Sequence, residues 1–292
     1  MKPIKDYIPE FKDTYLLDEN GNKVRTKGKV TVRHLFTMTG GLTYNCRKYP
    51  IQESATKRGD KSITVAIAGS FAKAPLIAEP GEKYEYSLCH DALGAVIEVA
   101  SGMRFSEYMK KTVLEPLGMT STRFVGPQEN SVSNMYIAKP DGKIEKQDKV
   151  NHLIFFDGYE SGGAGLVSTV NDYSLFADML ASGGVSKSGV RILSEESVRL
   201  LYGVQLPALD IDTGYTCLHG SDYGYGLGVR TRTTATEWGL PVGEFGWDGA
   251  ACSFLMADPK NKISVFIGMH LMGWPNVFRG KHLEIVKRIY EE

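Results

Sequence analysis

A serine followed three residues later by a lysine is a compact nucleophile–cation pair, and this chain spells it twice, as Ser54-Ala55-Thr56-Lys57 and Ser70-Phe71-Ala72-Lys73. On a helix the i, i+3 spacing puts both side chains on one face, and the pair can attack an acyl carbon where the helix N-terminus points into the site. Neither string meets that condition. Ser54 lies in the polar stretch 51–62, read as a loop, and Ser70 ends its helix ahead of Ala74-Pro75 instead of opening one. Metal chemistry has less support still. His34, His90, His152, His219, His270 and His282 form no i, i+4 pair, and Cys46, Cys89, Cys217 and Cys252 lie far apart with no CxxC. No metal and no cofactor is expected.

Bulk properties narrow the partners. Thirty-four basic residues balance thirty-four acidic ones, so no basic stripe marks a nucleic-acid or anionic-membrane footprint. No apolar run approaches the roughly 18 residues of a membrane span. The alternating-sign run Lys139 to Lys149 reads as a solvated loop.

The elements that must position any site are legible in part. Thr31 can cap a short helix over 31–38 that Gly40-Gly41 ends; 62–73 is a modest amphipathic helix, and Glu79-Pro80-Gly81 a turn. Residues 91–100 are apolar nearly all round and suit a buried helix, which Asp91 can cap. A helix over 104–114 stops near Pro116, and another runs from a Thr169/Asp172 capping pair to Gly183-Gly184. Ser194 opens a further short helix. Beyond residue 220, 224–230, 244–256 and 263–270 read as strands, with a turn at Asp258-Pro259-Lys260-Asn261 and a closing amphipathic helix over 278–291. A helical middle followed by strands predicts the α+β class, an antiparallel sheet flanked by helices in one domain.

Five segments in order, VTVRHLFTMTGGLTY (30–44), EPGEKYEYSLCHDALGAVIEVASG (79–102), FSEYMKKTVLEPLGMTSTRF (105–124), GGAGLVSTVNDYSLFADML (162–180) and FGWDGAACSFLMADP (245–259), resemble the serine β-lactamase-like superfamily of class C β-lactamases, penicillin-binding proteins and carboxylesterases. The resemblance implies a serine hydrolase that works through an acyl-serine intermediate on a small-molecule ester, amide or peptide-like ligand. It places Tyr86 of Tyr86-Ser87-Leu88 at the catalytic tyrosine. Leu88 replaces the usual asparagine, while Asp91 and Trp247-Asp248-Gly249 match the esterase-like branch. Trp247, Gly249, Ala250, Asp91 and Gly163 are implied as substrate- or oxyanion-lining. The Ala250 amide is carried over as oxyanion donor, and Gly249 permits close approach of substrate. Trp247 can equally be strand core, and Gly162, Gly163 and Gly165 a plain turn.

A phenol acts as a base only where a cation favours the phenolate, and in this family the lysine of Ser-x-x-Lys supplies it. That motif precedes the TGGL segment, whereas both strings here follow it. The expectation is therefore a domain lacking its N-terminal strands and nucleophile helix, inactive in this short form, with an open sheet edge at 263–270 through which it can self-associate. The alternatives are a non-catalytic ligand-binding remnant and a truncated gene product. The sequence points to no compartment.

Overall fold

The computed structural model describes residues 2–126, 132–147, 156–206, 222–273 and 278–291. Two short 3-10 turns, Ile4–Asp6 and Pro9–Asp13, push Ile4, Ile8 and Phe11 into the first core. A small antiparallel hairpin follows, β1 (Tyr15–Leu17) and β2 (Lys23–Arg25), which the sequence pattern did not reveal.

The helical half is then assembled. α1 (Val32–Phe36) starts in a capping box: Thr31 Oγ1 accepts from the His34 amide, and His34 Nδ1 accepts from the Thr31 amide. α2 (Ile51–Thr56) contains Ser54, so the expected loop is a helix; Ile51, Ser54 and Ala55 bury one face against α3 (Ile63–Phe71). α3 is capped by Ser62 and is buried from Thr64 to Phe71, deeper than its sequence suggests. α4 (Cys89–Ser101) packs on α1 and α3 through Ala92, Leu93 and Val96 and ends at Gly102 in the left-handed region. Its N-cap is Leu88, which makes no side-chain bond, so Asp91 is not the cap.

α5 (Phe105–Met109) passes through a π segment, Lys110–Leu114, into α6 (Glu115–Leu117). Pro116 therefore does not stop the helix. The wider π turn relaxes the backbone that proline would otherwise crowd, and Gly118, with φ +76°, ends the run. β3 (Arg123–Phe124) pairs later with β6 (Leu166–Val167). Between them lies a second hairpin, β4 (Met135–Ala138) and β5 (Ile144–Gln147), where a solvated loop was expected over 139–149; the ion pairs of Lys139 with Glu145 and Lys143 with Asp141 use those charges, and residues 148 and 149 lie outside the described part.

α7 (Val170–Ala181) begins where Thr169 accepts from the Asp172 amide. The Asp172 carboxylate does not return to Thr169 but binds the Ser121 amide and the Thr122 hydroxyl. α8 (Glu195–Tyr202) is capped by Ser194.

The last third is a five-stranded antiparallel sheet of β7 (Tyr223–Tyr225), β8 (Arg230–Arg232), β9 (Phe245–Asp248), β10 (Phe254–Asp258) and β11 (Ile263–Ile267), in the order β11-β10-β9-β8-β7. Two runs expected as single strands are each split by a turn. Gly228 at φ +84° reverses the chain between β7 and β8, and Cys252 at φ +67° closes the turn between β9 and β10. The Asp258 turn is as expected, with the carboxylate accepting from the Lys260 and Asn261 amides. β12 (Leu271–Met272) pairs parallel with β4. A π turn over 278–282 leads into the closing helix α9 (Leu283–Glu291). α7 covers one face of the sheet, where Met179 and Leu180 meet Phe245 and Leu255; α9 covers the other, where Val286 meets Phe254 and Met256. β11 is the outer strand, at the edge the sequence pointed to.

Under the α9 face lies a buried charge cluster. Arg230 donates to Glu244 Oε1 at 2.5 Å and to the Leu255 carbonyl at 3.2 Å, and its Nε stands 3.6 Å from Asp248 Oδ1. Burial disfavours its charge, yet Glu244 and Asp248 more than compensate and raise its pKa. Removing one member of such a set strands the others without water. Arg230→Met should therefore destabilise the fold by about 3–5 kcal/mol in urea unfolding. Lys57→Met, which breaks an exposed i, i+4 pair with Glu53, should change stability by less than about 0.5 kcal/mol. Equal effects would show that the cluster does not hold the sheet.

Candidate active site

Tyr86 sits on the short strap between Met38 and α4, where the Glu85 amide donates to the Met38 carbonyl and Ser87 is fully buried. The strap is thereby fixed to the helical half. From the sheet half, Trp247 stacks on Tyr86 with centroids 5.5 Å apart and planes 26° apart, and its indole Nε1–H donates to Tyr86 Oη at 3.2 Å. Tyr225 packs edge-on against Trp247 at 5.5 Å. These two sequence-predicted residues, 161 positions apart, are brought into direct contact.

Tyr44 was not singled out as a site residue. Its ring lies 5.4 Å from that of Tyr86, and its hydroxyl makes a hydrogen-bond contact with the Tyr86 hydroxyl. Burial first, then the negative charge available on Tyr86 and Asp91, pushes the Tyr44 pKa far above the ordinary phenol range. Tyr44 thus keeps its proton. The signal was its place at the end of the TGGLTY segment, but spacing alone gives an aromatic there no role.

Asp91 stands one turn behind. Its Oδ1 accepts from Tyr159 at 2.7 Å and from Ser161 at 2.5 Å, and burial pushes its pKa up against those bonds. The carboxyl ties the 159–163 segment to α4. Gly163 lies beside it: a Cβ there would stand 3.0 Å from Asp91 Oδ2 and 3.6 Å from Tyr44 Oη. Gly162 runs so close to the His90 carbonyl that a side chain has no room.

Gly249 and Ala250 follow Trp247 in the β9–β10 turn. The Gly249 amide donates to the Ser253 carbonyl at 2.8 Å and so serves the turn. Ala250 is exposed, and its amide makes no hydrogen bond among the described residues. An N–H left free at a tight turn is the kind of donor an oxyanion needs.

Neither Ser-x-x-Lys string forms its own pair. Ser70 is fully buried and donates to the Ile67 carbonyl at 2.6 Å, and Lys57 pairs with Glu53. The contact is made between strings: Lys73 Nζ donates to Ser54 Oγ at 2.9 Å. No cluster among the described residues could hold a metal ion, and Cys46 and Cys89 are free thiols; Cys217, His152 and His219 lie outside the described part. A separate cavity of about 630 Å³ is lined by Ser106, Lys110, Met119, Arg123 and Asp157, not by Tyr86 or Trp247.

The family model described as Beta-lactamase matches residues 2–287. The chain belongs to the beta-lactamase family. Protein Rv1367c of Mycobacterium tuberculosis is 28% identical over 281 residues, covering 88% of this chain and 67% of that protein. Acyltransferase calJ of Penicillium decumbens is 26% identical over 274 residues, covering 86% and 64%. Among solved structures, EstCE1, a hydrolase with promiscuous acyltransferase activity, superposes with a TM-score of 0.74 at 22% identity, covering all of this chain and 77% of the other. This beta-lactamase-family chain thus spans about two thirds of the length of these curated relatives. The family model confirms the resemblance read from the five segments, and the fold is the family's mixed helix and antiparallel sheet.

One titration follows from the packing at the site. Burial pushes His90 down to about 4, and its Nε2 has no partner among the described residues. The fold therefore favours neutral His90. That contribution is complete above the unfolded value near 6.5 and is lost as pH falls through the window toward about 4. Chemical denaturation at pH 7.5, 6, 5 and 4 should show the unfolding free energy falling more steeply in the wild type than in His90→Gln. Parallel curves would mean that His90 does not titrate differently on folding.

Proposed function

We propose that the chain carries the proton-transfer side of an acyl-transfer site, with Tyr86 as the group that moves the proton to and from a serine hydroxyl. The observation that carries this reading is the indole N–H of Trp247 on Tyr86 Oη. A donor on the phenol oxygen favours the phenolate, the form that can take a proton. Tyr44, which keeps its own proton, adds a second contact at the same oxygen. The Ala250 amide is the proposed donor to the oxyanion, and Gly163, beside Tyr44, is proposed to line the acyl site. The substrate class is an ester, amide or peptide-like small molecule, in keeping with relatives named as an acyltransferase and as a D-alanyl-D-alanine carboxypeptidase.

A second reading, binding without turnover, is favoured by one observation. The serine and lysine that do meet, Ser54 and Lys73, come from α2 and just past the end of α3 and are not the i, i+3 pair on one helix face. The proposed site is therefore incomplete without a further serine and lysine.

Two experiments separate these readings. The 292-residue chain alone should hydrolyse short p-nitrophenyl esters no faster than a heat-killed control and should take up no fluorophosphonate label. Labelling at Ser54 or Ser70 that its alanine variant abolishes would place the nucleophile where we exclude it. In a chimera that supplies a Ser-x-x-Lys helix from a relative, ester hydrolysis should appear, and Tyr86→Phe should lower kcat by about 10²-fold or more with little change in KM. A chimera that binds substrate without turning it over would favour the binding reading, and a Tyr86→Phe chimera of undiminished kcat would remove Tyr86 from the chemistry.

A further inference from the structure

β9 carries two side chains with different tasks on successive residues. In a strand, neighbours leave the backbone on opposite faces. Trp247 points toward Tyr86 and packs with the helical half's core, whereas Asp248 is directly opposite Phe254 on the face that α9 covers. There the Arg230 guanidinium lies 4.9 Å from the centre of the Phe254 ring, on Glu244 and beside Asp248, whose side chain is only 1% exposed. Hydrogen bonds to Glu244 and the Leu255 carbonyl hold the guanidinium in place, so Asp248, 3.6 Å from its Nε, cannot swing away without separating buried opposite charges. A rotation of β9 about its own axis would move Asp248 and Trp247 together. The indole bond to Tyr86, at 3.2 Å, is at the long end of N–H···O distances and has little slack for such a rotation.

We propose that Asp248 is a positioning residue for Tyr86: its buried ion pair with Arg230 fixes the rotation of β9 and thereby keeps the Trp247 indole N–H on the phenol oxygen. The proposal rests on the reading of Tyr86 as the proton-transfer group, but its geometry and its test do not depend on turnover. Loss of the indole bond removes a donor from the phenolate, so Tyr86 should ionise at higher pH when Asp248 no longer holds the strand.

The test is a double-mutant cycle read by NMR. Tyrosine labelled with 13C at Cζ reports each phenol's ionisation, and the Tyr86 signal is the one that disappears in Tyr86→Phe. Asp248→Asn and Trp247→Phe should each weaken Tyr86 acidity by up to about tenfold, the worth of one ordinary hydrogen bond. Combined, they should give no more than the larger single effect, because both remove the same bond. Asp248→Glu, which keeps the charge, should restore most of the wild-type titration. Should Asp248→Asn fail to fold, Arg230→Lys, which retains the charge and alters the reach, is read in the same cycle with Trp247→Phe and should show the same non-additivity. A fall in melting temperature with an unmoved Tyr86 titration would overturn the proposal and leave Asp248 a structural residue only. Fully additive shifts would also overturn it, since Asp248 would then act on Tyr86 by some route other than Trp247. A chain that performs no acyl transfer would sink the functional reading while leaving this result intact.

Discussion

The contact between Trp247 and Tyr86 is where the two halves of the molecule answer to each other. Tyr86 is fixed to the helices by its strap on Met38, and Trp247 is fixed to the sheet by β9. The helical half sets the Tyr44 hydroxyl beside the phenol, and the sheet half adds the indole donor. A single N–H···O bond is worth only about 1 kcal/mol net, so it does not hold the halves together. The cores on both faces of the sheet and around α4 do that. What the bond requires is that those cores be rigid enough to keep its length and angle, and chemistry at Tyr86 inherits that requirement.

The same division explains Asp91. The Asp91 carboxyl accepts from Tyr159 and Ser161 through Oδ1, while Oδ2 is buried with no hydrogen-bond partner among the described residues. Through Oδ1 it draws the glycine-bearing segment 159–163 onto the first turn of α4, so that Gly163 faces Tyr44. Glycine is needed there because the approach of segment to helix leaves no volume for a side chain at Gly162. The burial of Asp91 and the protonated state of Tyr44 are two sides of one dry environment.

Much of this was legible in the sequence where a local rule fixes a local structure. The Thr31, Thr169 and Ser194 caps, the Asp258 turn and the buried helix at 91–100 each follow from a few adjacent residues. Tyr86 and Trp247 were found through family motifs, since nothing in their own neighbourhoods says that they touch. What escaped was set by long-range packing. Strands of three residues, such as Tyr223–Tyr225 and Arg230–Arg232, are too short for alternation to show, and the turns that divide them depend on single positive-φ residues. Ser54 reads as loop because its stretch is polar, although one face of it is buried against α3. Arg230 ends the run 224–230 read as a strand, and only the positions of Glu244 and Asp248 make it a core residue.

That arginine also constrains how the sequence can change over generations. Arg230, Glu244 and Asp248 are each close to fully buried, so losing any one leaves a charge with neither water nor a full set of partners. An apolar replacement of the whole set could be as stable, but no sequence of single steps reaches it without passing through a poorly folded intermediate. A change at any one of these three positions therefore calls for a matching change at the others.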